Sequence, residues 1–81
     1  MSRTLGSPRH QALVDLIIQE RKAAGLTQVQ VAKKLRRYQS YVTLFETGQR
    51  RIDVVEFMDI AEAIGFDGPA AIRRLYKIPK K

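Results

Sequence analysis

Apolar residues recur along this chain every three to four positions and fall into five short runs bounded by capping residues, glycines and prolines. Ser7 followed by Pro8 reads as an N-cap with proline at the first helical position. Leu13, Leu16, Ile17, Glu20 and Ala24 follow at helical spacing, so a first amphipathic helix is predicted over 8–24, ended by Gly25. Thr27 opens the second run, and Gln30 stands three residues on, where it completes a capping box. Val31, Ala32 and Leu35 form its inner face, and Lys33, Lys34, Arg36 and Arg37 crowd its end, where cations suit the helix dipole. A turn is predicted at 36–38, then a third helix over 39–47 with Val42 and Phe45 inward and Gly48 as its stop. Gln49 to Asp53 is a polar, basic loop anchored by Ile52. Asp53 and Glu56 make a second capping box, followed by the stripe Phe57, Ile60, Ala61 and Ile64, ended by Gly65. Gly68-Pro69 starts a last helix, 69–77, with Ile72, Leu75 and Tyr76 on one face. No strand-like alternation and no repeat occur, so the predicted fold is all-α, a compact bundle of about five short helices.

With 81 residues the chain suits one small domain. The expected division is a flexible tail over 1–7, a single domain over 8–78 and a basic tail over 79–81. Hydrophobic residues make up 44%, enough for a real core, and the absence of cysteine excludes disulfides and thiolate chemistry. No apolar run reaches the length of a membrane span, Asp15 and Gln19 breaking the longest candidates, and MSRTLGSPRHQ lacks the apolar stretch of a signal peptide. A cytoplasmic protein with no membrane association is expected. The net charge of +7 changes the picture more, because such a chain is drawn to polyanions through counterion release.

Enzyme chemistry finds no footing. His10 is the one histidine, without companions at metal-ligand spacing. No histidine base is arranged around Ser7, Ser40 or the threonines, and no glycine-rich phosphate loop exists. No catalysis, metal or cofactor is expected. Asp53, Glu56, Asp59 and Glu62 read as a capped, solvated acidic face on the fourth helix.

The informative segment is 27–48, two short helices joined by a tight turn. Ala32 is small enough to let them approach closely. Burying Val42 and Phe45 leaves Gln39, Ser40 and Thr43 on the outer side of the second helix, with Tyr41 or Thr47 as further candidates. A helix entering the major groove of DNA needs short polar side chains there. Gln39 can pair bidentately with adenine or donate to guanine acceptors, and the Thr43 methyl can pack on a thymine methyl. The free backbone N–H groups beside Gln28 can take a phosphate. Arg36 and Arg37 on one side, and Arg50 and Arg51 on the other, flank the reading helix and are expected to contact phosphates.

The strings LTQ, VAKKL, QSYV and FETG, with their spacing, resemble the lambda-repressor-like (Cro/C1, or XRE-type) helix-turn-helix proteins over about residues 13–66. The resemblance implies a bundle of about five helices whose second and third form the reading unit. It assigns Gln28 to a phosphate clamp, Gln39 and Ser40 to base edges, and Lys33 to the groove edge. It also places a partly buried ion pair at Arg21 and Glu46. Two positions depart from the family pattern. Arg36 replaces the usual glycine of the turn, so either a left-handed backbone there costs about 1 kcal/mol or the turn relaxes to another shape. Tyr38 replaces the usual small N-cap of the reading helix and is expected against the sugar-phosphate backbone.

One reading helix covers only a few base pairs, and such proteins place two of them about 34 Å apart, so a homodimer on double-stranded DNA is expected. Phe66, Ile72, Leu75 and Tyr76 are either the end of the core or a dimer surface. The leading expectation is a transcriptional regulator, a repressor on a palindromic operator. One rival is an antitoxin that binds both operator and toxin. The other is a protein-interaction module without DNA binding, against which the basic pairs argue. Steep salt dependence distinguishes DNA binding from apolar association.

Overall fold

The structure, a computed structural model, describes residues 7–80. Within them run α1 (Pro8–Ala23), α2 (Gln28–Leu35), α3 (Gln39–Glu46), α4 (Val54–Ile64) and α5 (Gly68–Leu75). The tail expected over 1–7 lies, Ser7 apart, outside the described residues, as does Lys81.

Local chemistry accounts for where these helices begin. The Ser7 hydroxyl accepts from the His10 N–H with Pro8 beside it. Thr27 and Gln30 exchange both capping-box hydrogen bonds, at 3.1 and 2.8 Å, and Asp53 and Glu56 do the same at 2.7 and 3.0 Å. α5 opens one residue before the predicted Pro69, because the Asp67 carboxylate accepts the Ala70 N–H and so makes Asp67 the cap. It ends at Leu75, short of Lys77, the chain continuing in turns whose N–H groups reach back three or four residues.

The helix ends repeat one device. The Leu26 N–H donates to the Arg21 carbonyl, and the Gly25 N–H to that of Lys22, with Gly25 left-handed. α2 closes in the same way, Arg37 donating to Ala32 and Arg36 to Lys33, but the left-handed residue is Arg36 at φ 58 and ψ 44. Among the described residues it is the one non-glycine at positive φ. The turn has therefore kept its shape and carries the strain.

α2 packs on α3 and α4, α1 on α3 and α5, and α4 on α5. Their inner faces meet in one core of Leu16, Ile17, Val31, Ala32, Val42, Phe45, Phe57, Ile60, Ile64 and Ala71. Phe45, Val42 and Val31 are wholly buried, which fixes the rotation of α3 about its axis. Phe66 meets the Phe57 ring edge-on at 5.9 Å and packs against this core. Phe66 thus helps to finish the core while staying partly exposed. Leu75 is also half-buried, whereas Ile72 and Tyr76 remain exposed. Arg9 holds this end of the chain to α1, its Nε donating to the Ile78 carbonyl at 2.8 Å.

Candidate nucleic-acid interface

With Val42 and Phe45 buried, the opposite side of α3 carries Gln39 and Ser40 exposed and Thr43 half-buried. A chain of hydrogen bonds supports this edge from beneath. Arg21 of α1 grips the Glu46 carboxylate with two bonds, Nε to Oε2 at 2.7 Å and Nη2 to Oε1 at 2.9 Å. Its Nη1 donates to the Leu26 carbonyl at 2.9 Å. Glu46 Oε1 also accepts from Gln28 Nε2 at 2.9 Å. A carboxylate only accepts, so this bond decides which way the Gln28 amide faces. Gln28 Oε1 is turned toward α3, where it accepts from Thr43 Oγ1 at 3.0 Å and Gln39 Nε2 at 3.4 Å. Gln39 is thus held with one N–H engaged and its carbonyl oxygen without a partner among the described residues.

The electrostatics follow the same division. No Asp or Glu lies between Glu20 and Glu46, and Glu46 is itself paired. Lys33, Arg36, Arg37 and Arg51 are exposed and have no ion-pair partner among the described residues. Tyr38 is 86% exposed and makes no side-chain cap, so the first N–H groups of α3 are left open beside it. A depression of about 530 Å³ at this helix end is lined by Arg36, Arg37, Tyr38, Ser40, Tyr41 and Arg50. Open amides, a positive dipole end and arginines together suit a phosphate.

A helix-turn-helix domain family model matches residues 12–75. The chain belongs to this family. It is similar to an XRE-family like protein from Pseudomonas syringae pv. tomato str. DC3000, with 46% identity over 85% of this chain and 84% of that one, at a TM-score of 0.82. The clp gene regulator ClgR from C. glutamicum shares the fold at a TM-score of 0.74 and 18% identity, over 83% of this chain and 87% of that one. Among curated proteins none matches. The protein is therefore an XRE-type helix-turn-helix protein of a family of DNA-binding transcription regulators.

In this helix-turn-helix protein several side chains take roles other than those read from the sequence. Arg50, at the edge of that depression, is engaged by α4. Its Nη1 and Nη2 donate to Glu56 at 2.9 and 2.6 Å, because α4 brings that carboxylate within reach. Glu56 is correspondingly no part of a solvated acidic face, its side chain being 13% exposed. The hydrogen bond from Arg50 holds the Glu56 carboxyl down at about 2, against the opposing pull of burial. The same bond raises the Arg50 guanidinium.

Tyr41 is likewise not a free groove-facing group. Its ring lies between the guanidinium groups of Arg37 at 4.5 Å and Arg50 at 4.8 Å, and meets Phe45 edge-on at 5.4 Å. Burial, then the neighbouring Glu56 carboxylate, raises its hydroxyl. Helical spacing gives no clue to this stack, because Arg37 lies in the turn before α3 and reaches Tyr41 across an extended Tyr38. Thr47 spends its hydroxyl on the Thr43 and Leu44 carbonyls. His10 is 7% exposed, its Nε2 has no hydrogen-bond partner among the described residues, and burial followed by the charge of Arg51 lowers its pKa. Among the described residues, no group of three or more His, Cys, Asp or Glu is placed to hold a metal, and no helix is long and apolar enough to cross a membrane.

Proposed function

We propose that this chain is a cytoplasmic, sequence-specific repressor that binds a palindromic operator as a homodimer, with residues 8–78 acting as its one DNA-binding domain. The observation that carries the reading is the exposed polar edge of α3, seated on a buried anchor and bordered by unpaired cations. Gln39, Ser40 and Thr43 read base edges. Gln39 presents its free carbonyl oxygen and its second N–H together, the acceptor–donor pair that adenine N6 and N7 accommodate. Gln28, Lys33, Arg36, Arg37, Tyr38 and Arg51 hold phosphates. Arg50 contributes by steadying Tyr41 and, through it, Arg37. Pairing of two copies uses the exposed side of α5 around Tyr76.

Selection of bound fragments from random duplex DNA tests this directly. A recovered site should contain two inverted half-sites with centres one duplex turn apart, about 34 Å. Gel-shift titration with purified protein should then favour that site over scrambled duplex by about a thousandfold or more at physiological salt. Retention of random sequence without enrichment, at any salt, would defeat the specificity claim.

A further inference from the structure

Charge in this chain is divided by element. Between Arg51 and Arg73 there is no Lys, Arg or His, although the chain holds 15 Lys and Arg in all. That stretch builds α4 and the start of α5, and between them runs a groove of about 600 Å³ lined mainly by Leu13, Val54, Phe57, Met58, Phe66 and Ile72. Val54 is 76% exposed and Met58 55%, one helical turn apart on the same face, with Val55 beside them at 66%. Three carboxylates, Asp53, Glu62 and Asp67, line the same groove. None of them has an ion-pair partner among the described residues.

We infer that this groove docks an amphipathic helix of a second protein, apolar along one stripe and rich in lysine and arginine beside it. Apolar walls reward burial of the stripe, and the unpaired rim rewards flanking cations. The rim also argues against a second copy. A two-fold contact through this face would set Asp53, Glu62 and Asp67 against their own equivalents, like charge on like. Seating a basic surface of another copy in the groove would be a head-to-tail contact, which need not close. The site is independent of α3, so its occupant can bind while α3 holds DNA.

The test uses the full chain and a labelled peptide of about four helical turns, with leucines at positions i, i+3, i+4 and i+7 and lysines between them. Two controls accompany it: an isomer of the same composition with the spacing scrambled, and a peptide with glutamate in place of lysine. Fluorescence anisotropy should show saturable binding of the basic peptide, weakened about tenfold or more by scrambling and by Met58→Lys or Glu62→Lys, and none of the acidic one. Val54→Ser serves as a milder variant, and unchanged thermal melting confirms folding. Equal binding of the scrambled isomer, or indifference to all three substitutions, overturns the proposal. So does self-association in sedimentation that Met58→Lys abolishes, which would assign the groove to a second copy. A chain that takes the peptide but no duplex DNA would overturn the repressor reading and leave this one standing.

Discussion

Replacing Glu46 by alanine removes the acceptor at which three donors converge: Arg21 Nε, Arg21 Nη2 and Gln28 Nε2. The side chains of Arg21 and Glu46 are 12% and 4% exposed, so the guanidinium left behind is largely shielded from water. Stranding one partner of a fully buried pair costs about 3–5 kcal/mol. Here the truncated side chain opens room for water and Arg21 keeps its bond to the Leu26 carbonyl, which lowers the expected loss to about 2–4 kcal/mol. For a domain of this size each kcal/mol lowers Tm by about 4–8 °C, so the variant should melt about 8–32 °C below its parent. Urea unfolding at pH 7 followed by circular dichroism measures the loss. A double variant, Arg21→Met with Glu46→Leu, separates two causes. If the stranded charge is responsible, an apolar pair recovers most of the stability. A Glu46→Ala variant within about 1 kcal/mol of the parent, or a double variant as weak as the single one, would refute the reasoning.

Four further outcomes can be measured. Gln39→Ala should lose about 1–3 kcal/mol on the selected site and relax preference at a single base pair, as read by competition gel shifts; unchanged preference would place reading elsewhere. Arg37→Ala should weaken all duplexes alike and reduce the slope of log K against log salt by about one, whereas an unaltered slope would remove Arg37 from the phosphate contacts. Arg36→Gly should raise stability by about 0.5–1 kcal/mol, since glycine takes the left-handed conformation freely while losing more chain entropy; a fall in urea midpoint would mean that Arg36 makes a compensating contact. Stability should also fall with acid in two steps. His10 has a lowered pKa, so its contribution is complete above 6.5 and declines as pH falls below that value. Glu56 is held at about 2, so its contribution is complete above 4.5 and declines from there toward about 2. His10→Phe should remove the first step and Glu56→Gln the second in urea titrations at fixed pH values, and an unchanged pH profile for either would contradict the assignment.

Much of the architecture is legible in the residues because its causes are local. Capping boxes at Thr27 and Asp53 act across three residues, and the glycine stops at 25, 48 and 65 act through their own backbone. At Arg36 the residues left two outcomes open, strain or a relaxed turn, and the structure takes the left-handed one. The inward faces of α3 and α4 follow from the 3.6-residue period alone.

What the sequence by itself determined is therefore the set of helices, most of their ends, the buried faces of α2, α3 and α4, and the polar edge of α3. The tertiary structure decided who meets whom across those helices. Arg50 finds Glu56, Tyr41 is enclosed by two arginines, and Val54 and Met58 are left outside a core that their stripe neighbours enter. The direction of the Gln28 amide depends on a carboxylate 18 residues away, itself fixed by an arginine 25 residues from it. Periodicity orients a side chain about its own helix axis. Which partner it reaches depends on how the helices pack, and no local pattern encodes that.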